Sequence, residues 1–428
     1  MTNTSSNPTP IPISDYFESS YSLEGNFSFE NLDYYADGTL FPVHIGDLFP
    51  PKDEGDESHL YRYKVLLKIG HGSYSTVWLA IDLENETHVA LKFLSRGRDT
   101  ELSLYQSLSE AEGSLGQESV VTLRNSFRVG LRNEHTVLVF DVLIPWTFLT
   151  QKQKEQLNLK ATVFELASGL SFLHSTNITH GDLHQGNLAL KISPEFMFTG
   201  DEFIGELNFP DVIPILPIPY SKERVRQPPP NYQPPKYLMS NNVFLDYAKE
   251  VLSHEGALST AKLQIIDLSN AYQNTPTEIP LTKRTVRAPE SFMEELTSLK
   301  FHSGRPADIW ALAVTIFEIL SGPKDVLYFA SRNSATALKS IMTQIATPVP
   351  EPWTRALLEK GIVAVKVEGD ATDQPPWEKS GLTLVDESVR GKYLDLLRKM
   401  LIINPVDRPT CEEVCLCLSK IMKESEAK

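Results

Sequence analysis

The hydrophobic period of this chain changes once, near Pro145, and that change constrains the fold more than any other feature. From Tyr61 up to it, short β-branched and aromatic runs alternate with turns carrying Gly or Asn. Tyr63–Ile69, Ser75–Ile81 and His88–Phe93 read as strands. A helical pattern covers Glu101–Leu108, and two more strands are expected over Ser119–Phe127 and Thr136–Val142. Beyond Pro145 apolar residues recur at helical spacing. Leu159, Val163, Leu166, Leu170 and Leu173 share one face, and further helices are expected over Ala307–Leu320, Lys392–Leu401 and Cys411–Met422. Strands followed by helices, rather than alternating with them, give an α+β chain with a small β-rich part and a large helical part.

Two stretches fit neither part. Residues 1–60 are rich in Ser, Asn, Pro, Asp and Tyr and read as an irregular extension. Between Phe209 and Pro235 there are nine prolines in 27 residues. Proline lacks the backbone donor and fixes φ, so this run is expected neither to pair in a sheet nor to continue a helix. It reads as an insertion spanning about 193–261, with a short helix over Asn242–Ser253, inside a helical part running from 146 to 422; the β-rich part covers 61–145.

Composition narrows the function classes. The 428 residues carry 40 basic and 55 acidic side chains, a net charge of -15, which disfavours direct binding to nucleic acid and suits a basic partner. The three cysteines, Cys411, Cys415 and Cys417, exclude a disulfide framework and fall short of a four-cysteine zinc site. The N-terminal residues lack the basic and apolar regions of a signal peptide. The most apolar run, Ile309–Leu320, is too short for a bilayer and contains Glu318, so no membrane association is expected.

Four constellations carry chemistry. The first is Gly70-His71-Gly72-Ser73-Tyr74-Ser75-Thr76-Val77, directly after Ile69 and between two expected strands. Glycines at i and i+2 let a hairpin backbone approach a phosphate. Val77 would cover an adenine, and Val89-Ala90-Leu91-Lys92 follows, with Lys92 placed to pair the α- and β-phosphates. The second is His180-Gly181-Asp182-Leu183-His184-Gln185-Gly186-Asn187, where a carboxylate and an amide five residues apart can hold a hydroxyl and a metal ion. The third is Asp267, ending the apolar run Leu263–Ile266, as a second metal ligand. The fourth is structural: Glu290 of Ala288-Pro289-Glu290 would pair with Arg408, and Asp308 would cap the backbone of the Asp182 loop.

In their order and spacing these motifs resemble a eukaryotic-type protein kinase from about Tyr61 to Met422. The resemblance implies a two-lobed kinase fold with a β-rich N-lobe and a helical C-lobe interrupted by the Pro-rich insertion. It implies ATP in the cleft, its adenine near Val77, Ala90, Asp141 and Leu143, and Mg²⁺ on Asn187 and Asp267, with Asp182 orienting a protein hydroxyl. Glu101 is the expected partner of Lys92, with Glu110 or Glu112 as alternatives. The run Phe41–Asp47, the loop from Gly72 to Ala80 and Asp267-Leu-Ser-Asn-Ala narrow the resemblance to the SR-protein kinases. That family places Ser where Ser75 stands and splits its kinase domain where the insertion falls. It further implies a monomer, basic Arg/Ser-rich protein substrates, and residence in cytoplasm and nucleus.

Three residues depart from the common kinase pattern. His184 stands where a Lys usually contacts the γ-phosphate, Ser269 where a Gly follows the metal-binding Asp, and Lys283 where a Thr precedes the Ala-Pro-Glu run. A left-handed Ser269 would cost about 1–2 kcal/mol. Lys283 is expected to reach the Asp182 loop and restore the charge that His184 lacks. Thr275 and Thr277 are candidate phosphorylation sites. A catalytically weak pseudokinase scaffold that binds ATP and a small-molecule kinase stand as the alternative readings.

Overall fold

The computed structural model describes residues 17–19, 29–36, 38–50, 61–72, 74–111, 113–130, 134–200, 203, 205, 207–217, 235–273, 282–297, 299–300, 304–321, 327, 331–345, 347–362, 377–378 and 381–426. They divide into two compact units. The small unit draws on 1–103, 122–142 and 194–255, and the large unit on 104–121, 143–193 and 256–428. Residues 194–255, which sequence reads as an insertion into the helical part, thus group with the small unit.

The small unit is built on a six-stranded antiparallel sheet in the order Leu48–Phe49, Tyr63–His71, Ser75–Asp82, Thr87–Leu94, His135–Asp141, Asn125–Val129. One expected strand shifts: Gln117–Ser119 form a 3₁₀ turn, and the edge strand begins only at Asn125. The core of this sheet joins Val65, Trp78, Val89, Leu91, Phe93, Phe127 and Val137 to Val43 and Phe49 before it and Met239 far beyond it in sequence. Residues from before Tyr61 and from the insertion therefore share one apolar interior with the sheet, worth roughly 25 cal/mol per Å² removed from water.

The proline-rich run corrects an expectation. Val212–Pro217 is the middle strand of a three-stranded sheet, antiparallel to both Phe17–Ser19 and Tyr237–Met239. The neighbours are offset: Phe17–Ser19 pairs with 215–217, Tyr237–Met239 with 212–214. The Ile215 N–H donates toward the second neighbour, to Lys236 O at 3.0 Å. By the alternation of a strand, Pro217 faces that same side past the end of its pairing, and Pro214 faces the other side short of the first neighbour. Each missing donor falls where no ladder bond is required.

The large unit packs the helix Leu159–Ser175 against Cys411–Glu426 and Arg305–Leu320. The apolar face Val163, Leu166, Leu170 and Leu173 is fully buried, as its 3.6-residue spacing requires. Two small sheets complete it: Lys262–Ile265, Leu188–Lys191 and Ile144–Pro145, and the pair Ile178–Thr179 with Tyr272–Gln273. Cys411 is buried and its thiol donates to Ala167 O. Among the described residues no helix is long and apolar enough to cross a membrane.

Candidate active site

In the large unit, the loop His180–Asn187 leaves the strand Ile178–Thr179 and closes through a 3₁₀ turn, Gln185–Asn187, into Leu188–Lys191. Asp308, buried in the first turn of Arg305–Leu320, holds it from below. Its carboxylate accepts the N–H of His180 at 2.8 Å and of Gly181 at 2.9 Å, and meets His174 Nε2 at 2.9 Å. An anionic side chain is favoured at that helix end. Burial pushes the His180 imidazole below its ordinary range. Its Nδ1 accordingly accepts the Asp182 N–H at 3.2 Å. Gly181 has φ +77°, and a Cβ there would lie 2.7 Å from Asn270 O.

The Asp182 carboxylate is oriented from two sides. The backbone N–H of Lys283 donates to Oδ1 at 2.7 Å and the Asn270 amide to Oδ2 at 3.3 Å. Thr282 Oγ1 donates to Gly181 O at 2.6 Å, joining the same two segments. His184 Nδ1 accepts the Gly186 N–H at 2.8 Å, so Nε2 is the nitrogen that faces Asp182 Oδ2, at 3.6 Å. Gly186 must stay small, because a Cβ would meet the His184 ring at 2.6 Å.

Asn187 Nδ2 donates to Asp182 O at 2.9 Å, which leaves the amide oxygen to offer a cation. Leu188 pairs with Ile265, and the Ile266 N–H donates to Asn187 O at 2.9 Å, so Asn187 and Asp267 leave the same end of one ladder. Two oxygen donors of this kind are the type Mg²⁺ takes, since it is held by one or two protein oxygens and retains much of its hydration. Asp267 itself takes the left-handed turn, φ +64°, and accepts the Ser269 N–H at 3.2 Å; Ser269 is not among the positive-φ residues, so the strain considered for it does not arise.

Sequence reasoning missed Glu318 as part of this region. Its carboxylate accepts Gln185 Nε2 at 3.0 Å, and Gln185 in turn accepts Trp146 Nε1 at 3.2 Å. Burial pushes Glu318 above its ordinary range, partly offset by Lys283, the Gln185 bond, His184 and Lys154. A lone carboxylate in the apolar run Ile309–Leu320 was the available signal. The Lys283 side chain is exposed and its charge acts on Glu318. Further off, Arg408 grips Glu290 with two bonds of 2.7 and 2.8 Å, both side chains buried.

In the small unit, Lys92 Nζ donates to Glu101 Oε1 at 2.6 Å, both residues buried. Val77 stands opposite Lys92 in the ladder, and Gly70 opposite Val77. Ala90 is buried, and Asp141, at the end of its strand, pairs with Arg124. Gly72 N–H donates to Ser75 O at 2.9 Å, closing the turn, and neither Gly70 nor Gly72 has a heavy atom within 4 Å of where a Cβ would sit. Thr76 Oγ1 accepts Trp78 Nε1 at 3.1 Å, and Tyr74 lies under Arg98 at 3.8 Å. Ile69 and His71 are half-buried, as is Leu143 in the large unit. Ser73, Glu112, Thr275 and Thr277 lie outside the described residues.

Comparison with known proteins gives the class. A family model, the protein kinase domain, matches residues 63–198. The crystal structure of the PF14_0431 kinase domain matches with a TM-score of 0.54, covering 88% of this chain and 97% of that one at 17% identity, which shows the fold. Fold and motifs together define a protein kinase. Protein kinase dsk1 of Schizosaccharomyces pombe is 25% identical over 364 residues, 68% of this chain and 65% of that protein. SRSF protein kinase 3 of Mus musculus is 30% identical over 177 residues, 38% of this chain and 30% of its own. Serine/threonine-protein kinase SKY1 of Saccharomyces cerevisiae is 31% identical over 180 residues, 38% and 23%. The chain spans less than two thirds of the length of these relatives. Within that class the chain is similar to these SR-protein kinases.

Proposed function

We propose that this chain transfers the γ-phosphoryl group of ATP to Ser hydroxyls, and that its substrates are Arg/Ser-rich proteins of the splicing-factor kind. The observation that carries the reading is the Asp182 carboxylate, fixed by the Lys283 N–H and the Asn270 amide on a loop that Asp308 clamps. Phosphoryl transfer asks the protein mainly for positioning and charge stabilisation. Lys92, held by Glu101, would pair the α- and β-phosphates, and the N–H groups from Gly70 to Val77 would cover them. Asn187 and Asp267 would hold Mg²⁺, which neutralises charge developing on the phosphates.

Asp182 then orients the Ser hydroxyl. The Ser oxygen bonds to the γ-phosphorus as the bond to the β-bridging oxygen breaks, ADP leaves, and the hydroxyl proton passes to Asp182 or to the new phosphate. His184 turns Nε2 toward that carboxylate, 3.6 Å from Oδ2, and Lys283 reaches it through its backbone N–H. The net charge of -15 supports a basic substrate, and the similar mouse protein is named as an SRSF protein kinase. Such substrates would place the chain in cytoplasm and nucleus, acting as a monomer.

The test is radiolabelled γ-phosphate transfer to an Arg/Ser-repeat peptide beside a generic basic protein, with Asp182→Ala as the blank. Preference for the repeat peptide, lost at least 100-fold in the blank, is the expected result. Binding of Mg·ATP without transfer to either acceptor would overturn it in favour of a scaffold.

A further inference from the structure

We propose that Asn241, which lies in the inserted segment, is a positioning residue for the nucleotide: it braces the strand that enters the glycine loop. The inference rests on reading Gly70–Val77 as the phosphate-binding loop. The strand Tyr63–His71 is not regular where it approaches that loop. Its register with Ser75–Asp82 slips between Lys68 and Gly70, so Ile69 is an extra residue with no partner across the ladder. A bulge of this kind re-aims the residues that follow it, here Gly70, His71 and Gly72, and leaves backbone groups to be satisfied from elsewhere.

The Ile69 carbonyl is satisfied by the side chain of Asn241, whose Nδ2 donates to it at 3.2 Å across 172 residues of sequence. Asn241 directly precedes the helix Asn242–Ser253 and is fixed by its neighbours. Ser240 N–H donates to Asp211 O at 3.0 Å, and Asn242 Nδ2 to Asp211 Oδ2 at 2.8 Å.

The residue before the bulge is gripped as well. Lys68 is buried, and its ammonium donates to the Glu30 carboxylate and, at 3.1 Å, to Met239 O. Tyr35 Oη closes the group by donating to Glu30 Oε1 at 2.6 Å. Two segments remote in sequence, 30–35 and 239–241, thus converge on Lys68 and Ile69. Gly70 and Gly72 themselves have open space where a Cβ would sit, while beyond them Tyr74 O accepts the Ser95 N–H at 2.8 Å. The bulge and its brace lie directly before Gly70, so they set where the first N–H groups of the loop point. Losing the Asn241 bond should release the aim of the loop without unfolding the sheet beneath.

The test compares two variants of the full chain. Asn241→Ala removes the bond at the bulge. Tyr247→Phe removes a different anchor of the same inserted segment, the hydroxyl that meets His88 Nδ1 at 2.9 Å on the strand Thr87–Leu94. In Asn241→Ala, KM for ATP should rise roughly three- to tenfold, the worth of one neutral hydrogen bond, with kcat changed less than about twofold. Amide hydrogen exchange over residues 69–77 should quicken without nucleotide. Asn241→Gln, which can still donate, should recover part of both effects, and Tyr247→Phe should show neither.

Equal effects from Asn241→Ala and Tyr247→Phe, or unchanged exchange over 69–77 in Asn241→Ala, would overturn the proposal. Exchange is read without ATP, so it judges the brace even if the wild-type chain binds no nucleotide. That result would instead count against the kinase reading alone.

Discussion

The two loops to which the proposed function assigns the chemistry are held to different degrees. The loop around Asp182 is tied at nearly every residue: Asp308 takes two of its N–H groups, Thr282 its Gly181 carbonyl, Lys283 and Asn270 its carboxylate, and Asn187 its Asp182 carbonyl. The loop from Gly70 to Val77 has its Gly72–Ser75 bond, the Ser95 N–H on Tyr74 O and the Asn241 brace at its base, with open space where a Cβ would sit on Gly70 and Gly72. A group that must present one carboxylate oxygen to one hydroxyl gains from having few alternatives. Under the proposed function the glycine loop would admit and release a nucleotide each cycle, which favours a fixed base and fewer ties at the glycines.

The most damaging change expected is Asp308→Ala. It strands two backbone N–H groups beneath the Asp182 loop, at about 1–3 kcal/mol each. Denaturant unfolding should therefore show a loss of roughly 2–5 kcal/mol, with transfer reduced at least as severely as stability. Asp308→Asn, which keeps one acceptor oxygen, should fall between. An Asp308→Ala protein of wild-type stability would mean that water replaces the carboxylate and that the loop is not locked from below.

A matched pair of glycine substitutions sharpens the contrast. Gly181→Ala meets both a left-handed φ of +77° and a backbone oxygen 2.7 Å away, so it should cost more than about 1–2 kcal/mol of stability and most of the activity. Gly72→Ala meets neither obstacle. It should shift stability by less than about 1 kcal/mol, in either direction, while weakening ATP binding by crowding the backbone's approach to phosphate. Melting curves beside nucleotide titrations read both. Equal destabilisation by the two would erase the distinction between the loops.

The same contrast explains what could be read in the sequence. The hold on the Asp182 loop from Asp308 was legible because both belong to short motifs in a fixed order, and the same order led to the Arg408–Glu290 pair further off. The two-part α+β architecture followed from the change of period at Pro145, because periodicity records which face is buried. The brace on the glycine loop was not legible. Asn241 and Met239 lie about 170 residues from the strand they serve, and no local pattern distinguishes an Asn that bonds a bulge from one that starts a helix. Lys68 reads as an ordinary strand lysine until Glu30 is found beside it. Val212–Pro217 was misjudged because the offset of its neighbours, which excuses both prolines, is a property of three segments together.

Glu318 gives the smallest effect and the finest probe of the locked loop. Burial raises its pKa above the usual 4.5, against the pull of Lys283, the Gln185 bond, His184 and Lys154. Above its folded pKa the carboxylate is charged in both states but better solvated when unfolded, so ionised Glu318 subtracts from stability. As pH falls through the folded pKa toward 4.5 the folded state takes up the proton first, and that penalty disappears. Glu318→Gln, which keeps a partner for Gln185, should therefore be slightly more stable than wild type near neutral pH, by less than about 1 kcal/mol, with the gap closing toward pH 4.5. Denaturant titrations of both proteins between pH 4.5 and 8 measure the gap. A variant less stable than wild type at neutral pH would show that these partners outweigh burial, making Glu318 one of the ties that hold the Asp182 loop rather than a charge the fold tolerates beside it.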